Sequence, residues 1–126
     1  MKHQISDNLF IRAENLLDNA GQELQRAEED VVVPAVCYNS RETIYNYLEG
    51  YLIRNMQAPK EPVSLENLKN QCANINPEFK ELDFSSLDCS HDNKAGQEAY
   101  CMSVTKVKSC FQVAQEVKDL IMRSEL

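Results

Sequence analysis

Glycine is scarce in this chain: Gly21, Gly50 and Gly96 are the three among 126 residues. Sandwiches and barrels depend on many tight turns, so this scarcity argues against both and favours an all-α fold. It also leaves no glycine-rich phosphate cradle, and no GxSxG elbow or HExxH segment is present. Histidine is scarcer still. His3 lies near the first residue and His91 in a polar stretch, so no histidine sits on a predicted helix core for general acid–base work. Basic residues are outnumbered, with thirteen Lys and Arg against twenty Asp and Glu and a net charge of −7. A broad nucleic-acid surface must neutralise many phosphates, so no DNA-binding face is expected, and a basic protein surface is the more natural complement. Long apolar runs are missing too. The longest uncharged one, residues 31–38, is broken by Pro34 and falls far short of the ~20 residues that cross a bilayer. Residues 1–10 lack the apolar core of a secretory signal, so a cytoplasmic protein with no membrane partner is expected.

The five cysteines, Cys37, Cys72, Cys89, Cys101 and Cys110, are odd in number and contain no CxxC pair. Free thiols, three of them beside helical apolar positions, fit better than a disulfide framework. Cys89 and His91, flanked by Asp88 and Asp92, form one potential ligand pair. Structural zinc needs a second pair, so no metal site is expected, and nothing points to a cofactor.

Apolar periodicity supplies the positive signal. Over residues 6–30, Leu9, Ala13, Leu16, Leu17, Ala20, Leu24 and Ala27 repeat at three- and four-residue spacing, with Ser6 as the expected cap. Gly21 inside this stripe suits close approach of a neighbouring helix, and the acidic residues 28–30 oppose its continuation. A second helix starts at Pro34, with an Ile44, Leu48, Leu52, Met56 ridge and four of the five tyrosines. Its small, polar and aromatic residues alternate, which predicts neighbours around most of its circumference. Pro59 and Pro62 stiffen the next loop, and Ser64 caps a third helix whose buried face is Leu65, Leu68, Cys72 and Ile75. Asn76 and Pro77 start a short turn that folds Phe79 and Leu82 inward, and Phe84 and Leu87 pin the following loop. A long helix over residues 94–123 carries Tyr100, Val104, Val107, Phe111, Ala114, Val117 and Ile121. The expected fold is one all-α domain spanning residues 1–126, an antiparallel up-and-down bundle of about four to five helices.

One polar constellation stands out on the second helix, where Asn39, Arg41, Glu42, Asn46, Glu49, Arg54 and Asn55 are interleaved with tyrosines. Tyr38 and Tyr45 lie three or four positions from Arg41 and Glu42, so those four can share a face. A guanidinium beside aromatic rings suits a base or phosphate; the same residues also suit ordinary helix-surface hydrogen bonds and ion pairs.

Residues 8–122 resemble the HEPN family, the helical "higher eukaryotes and prokaryotes nucleotide-binding" domains. Arg41-Glu42-Thr43-Ile44 and the segment from Tyr47 to Ile53 occupy the place of its second-helix signature. Pro59, Pro62 and Ser64-Leu65-Glu66-Asn67-Leu68 follow in the family's order, and a long helix closes the pattern. The resemblance implies a homodimer, association with a minimal nucleotidyltransferase in a toxin–antitoxin-like pair, and possible nucleotide binding. If a nucleotide is bound, the residues of the polar constellation expected to hold it are Tyr38, Arg41, Glu42, Tyr45 and Arg54, the arginines meeting phosphate and the rings a base. Two departures qualify it. Ribonuclease members carry an Arg-x(4–6)-His motif, whereas residues 56–62 after Arg54 contain no histidine and Val63 occupies the loop-histidine position. The chain also lacks the Gly-Ser and Asp-x-Asp of the nucleotidyltransferase itself. The expectation is a non-catalytic module with no catalytic residue. The alternatives are a structural interaction bundle, or a divergent ribonuclease using Arg41 or Arg54 with Glu42 or a tyrosine as base.

Overall fold

The computed structural model describes residues 2–87 and 104–124. All regular elements within them are helical: α1 (Lys2–Leu24), α2 (Val33–Arg54), α3 (Leu65–Ile75) and α4 (Val104–Ser124). Short 3₁₀ turns occupy Glu28–Asp30, Pro77–Glu81 and Ser85–Leu87. The chain is therefore the helical bundle its periodicity predicts. The expected start of the last helix at residue 94, Tyr100, and the Cys89–His91 pair lie outside the described residues.

α2 occupies the centre and packs against α1, α3 and α4. Its buried positions include Thr43, Ile44, Asn46, Tyr47, Leu48 and Gly50, which together cover most of the helix circumference. This explains the alternation of small, polar and aromatic residues, since each neighbour meets a different stripe. Three contacts fix α1 antiparallel to α2: Arg54 reaches Ser6, Gly50 faces Phe10, and the Thr43 hydroxyl, which donates to the Asn39 carbonyl at 2.7 Å, also lies 3.3 Å from the Ala13 carbonyl. Phe111 lies against Gly21 while Lys118 lies 3.8 Å from Glu14, so α4 also runs against α1. The core is completed by Leu68, Phe79, Val107, Ala114, Val117 and Ile121, all fully buried. Cys37, Cys72 and Cys110 are buried, as small hydrophobes in such a core should be.

Several local expectations are corrected. Ser6 does not cap α1; the helix begins at Lys2, and Ser6 is buried in its second turn, accepting from Arg54 Nε at 3.1 Å. α1 stops at Leu24, so Ala27 is exposed rather than part of the stripe, and Leu16 and Leu24 are half-buried. Glu23, in the last turn, ends this helix productively: its carboxylate accepts from the Val32 N–H at 2.9 Å and so satisfies an amide at the start of α2. Phe111 is half-buried rather than central. Met56 leaves the apolar ridge altogether, being 70% exposed with φ 67°. It stands in the left-handed position of a helix-ending motif in which its own N–H bonds to the Ile53 carbonyl and the Gln57 N–H to the Leu52 carbonyl.

The two-proline loop is held in place from α3. The Gln71 side chain accepts from the Lys60 N–H at 2.9 Å and donates to the Ala58 carbonyl at 3.1 Å. Ser64 caps α3 as expected, accepting from the Asn67 N–H at 3.1 Å. At the far end of α3, Asn76 accepts from the Glu78 N–H and donates to Ser124 Oγ, which ties the end of α4 to the 3₁₀ turn. Phe84 and Leu87 are buried, so this segment is pinned as its apolar residues predict.

Candidate functional site

Tyr45 projects from the middle of α2 into the angle left by α1, the two-proline loop and the start of α3. It is half-buried and forms part of two shallow clefts. The first, about 220 Å³, lies towards α3 and is lined by Arg41, Tyr45, Ser64, Glu66 and the pinned residues Phe84 and Leu87. The second, about 350 Å³, lies towards α1, where Leu9, Arg12 and Val63 face Glu42, Asn46 and Glu49.

The sequence-nominated residues are thus partly brought together. Arg41 and Tyr45 share one cleft, Glu42 and Tyr45 the other, and the tyrosine ring is common to both. Tyr38, 46% exposed, sits at least one turn earlier on α2 and lines neither cleft. Arg54 is separated from the group. At 1.5 Å per residue it lies about 13 Å further along α2 than Tyr45. There its guanidinium is 4.7 Å above the Phe10 ring, its Nε donates to Ser6 Oγ, and it pairs with Asp7. Arg54 is therefore a fastener between α1 and α2.

Electrostatics differ between the clefts. In the second, Glu42, Asn46 and Glu49 form an i, i+4, i+7 ridge along one side of α2. Burial, and then the neighbouring Glu42 carboxylate, push the Glu49 pKa above its ordinary value. Asn46 is 7% exposed, and its Nδ2 donates to the Glu42 carbonyl at 2.6 Å. Beside the first cleft, Lys69 lies 5.4 Å above the Phe84 ring and 3.8 Å from Glu66. Asp83 is held below the usual carboxylate range mainly by the Ser85 N–H.

Of the other residues lining the second cleft, Leu9 was expected only as part of the buried α1 stripe and Val63 only as the occupant of the loop-histidine position, while Arg12 carried no sequence signal. The spacing of Leu9 and Arg12 shows that they share a side of α1, but not that this side meets Glu49. A third cleft, of about 480 Å³, was also missed. It runs between α1 and α4 over the Gly21–Phe111 contact and is lined with polar residues such as Asp18, Gln22 and Gln115. No group of His, Cys, Asp or Glu among the described residues is arranged to hold a metal ion. No helix among them is long and apolar enough to cross a membrane.

Comparison with protein-family models, with curated proteins and with solved structures finds no match for this chain.

Proposed function

We propose that this chain is a non-catalytic helical module of the HEPN type that works by docking to a protein partner, a minimal nucleotidyltransferase or a similar effector being the partner the resemblance suggests. The engagement of Arg54 carries this reading. It is the arginine from which the family's ribonuclease motif would have to start, yet its guanidinium is occupied by Asp7, Ser6 and the Phe10 ring, and no histidine follows it in the motif's spacing. Acidic residues on the Tyr45 clefts, with Glu42 and Glu49 on one side and Glu66 on the other, disfavour a polyphosphate and favour a basic protein surface. A homodimer in the manner of the family is compatible with this role.

The second reading is nucleotide binding. One observation favours it: Arg41 and Tyr45 line the same cleft as Ser64, Leu65 and Glu66, so a basic and an aromatic residue stand beside the start of α3. Calorimetric titration with ATP, GTP and a short single-stranded RNA separates the two. The docking reading predicts no saturable heat with any of them. Binding that weakens in Arg41→Ala, with the thermal midpoint unchanged, would replace it with the nucleotide reading.

A further inference from the structure

The α1-side cleft at Tyr45 holds hydrogen-bond acceptors that have no donor partner among the described residues. Among the described residues no cation pairs with the carboxylate of Glu42 or Glu49, although both residues are half-buried. Asn46 lies between them, more than nine-tenths buried, and its Nδ2 is committed to the Glu42 carbonyl. That bond leaves Oδ1 as an acceptor with no donor among the described residues, on a side chain that lines the cleft. Two oxygens from each carboxylate and one from Asn46 make a five-acceptor set, and Arg12 on the cleft wall makes no ion pair with it. The remaining walls are Tyr45, Leu9 and Val63, which offer an aromatic face and apolar surface.

From this we infer that the cleft is a receptor for an arginine side chain on a basic segment of a partner protein. A guanidinium is donor-only, with five N–H groups in one plane, and is weakly hydrated enough to lie on an aromatic face. Seated above Asn46, it gives N–H groups to Oδ1 and to the carboxylates on either side. The Tyr45 ring takes its face, and Leu9 and Val63 take the aliphatic stem. Lysine offers a compact, strongly hydrated ammonium and uses the ring and the acceptor ridge less well. The overall charge of −7 favours approach of such a segment.

The inference rests on the protein-docking reading, and its test is independent of the nucleotide titration. The peptide acetyl-GRGRG-amide and its lysine analogue acetyl-GKGKG-amide are titrated into the full chain, followed by amide chemical shifts. The expected result is saturable shifts centred on Tyr45, Asn46, Glu49 and Val63, with the lysine peptide about threefold weaker. Glu49→Gln weakens the arginine peptide about tenfold, whereas Glu116→Gln, on the exposed side of α4, changes it less than about twofold. Arg12→Ala tightens it about twofold by removing a like charge. Thermal melts of each variant establish that it is folded. No saturable shifts, shifts spread over all acidic surfaces, or equal effects of Glu49→Gln and Glu116→Gln would overturn the inference. Weaker binding in a folded Arg12→Ala would overturn it as well.

Discussion

Replacing Tyr47 with phenylalanine should make this protein more stable. Tyr47 is fully buried in the centre of α2, its ring 5.8 Å from that of Phe10, and its hydroxyl has no hydrogen-bond partner among the described residues. Taking a hydroxyl out of water without a partner costs ~1–3 kcal/mol, whereas its absence leaves only a small void, worth ~0.2–0.5 kcal/mol. The net gain is therefore ~1–2 kcal/mol. With an unfolding entropy of about 2.1 cal/mol/K per residue, the midpoint should rise by ~4–8 °C. Calorimetric melts at neutral pH read this directly, and urea titration checks that the cooperativity is unchanged. Alkaline pH supplies a second readout. Burial, with the charges of Glu14 and Asp18, pushes the phenol from 10.0 to about 12. The unfolded chain thus ionises first, and stability is lost as pH rises from the ordinary value through the raised one. That component is missing in Tyr47→Phe, so the variant's advantage should widen there. An unchanged or lowered midpoint at neutral pH would refute the reasoning, because it would mean the hydroxyl is satisfied.

The two described glycines should respond oppositely to alanine. At Gly50 a Cβ would stand 2.6 Å from Phe10 Cε1, on a ring held beneath Arg54, so Gly50→Ala should destabilise by ~1–2 kcal/mol despite its better helix propensity. At Gly21 the nearest atom is the Phe111 ring edge at 3.2 Å, beside an open cleft, so Gly21→Ala should be neutral or gain up to ~1 kcal/mol; denaturant midpoints for both variants check the contrast. Met56→Gly should stabilise by about 1 kcal/mol by relieving a left-handed backbone, and a lower midpoint in the same measurement would count against it. Glu49 has its pKa raised in the fold, so its ionisation costs stability as pH rises through that raised value; Glu49→Gln should raise the melting point at neutral pH and leave it unchanged at about pH 3.

The helices were legible because their signals are local. Ser64 and Pro34 mark helix starts by side-chain chemistry that acts within one turn, and Leu68, Val107 and Val117 report burial through spacing alone. What failed depended on partners distant in sequence. Ser6 resembles a cap, but a residue forty-eight positions away makes it the acceptor of an interhelical hydrogen bond. Met56 continues a perfect ridge, yet the carbonyls of Leu52 and Ile53 close the helix before reaching it. The site divides in the same way. Arg41, Glu42 and Tyr45 are neighbours on one helix, so their proximity follows from helical geometry. That Tyr45 would separate two clefts, that Arg12 would join one of them, and that Arg54 would be fastened to α1 all follow from how α1 and the two-proline loop pack on α2.

The central claim is that this bundle binds without catalysing, and incubation of the purified chain with labelled single-stranded RNA, with and without magnesium, tests it most directly. With Arg54 committed to Asp7, Ser6 and Phe10, and with no histidine in the motif's spacing, the RNA should stay intact under both conditions. Cleavage that disappears in Arg41→Ala or Arg54→Ala, in variants shown by their melts to be folded, would contradict it.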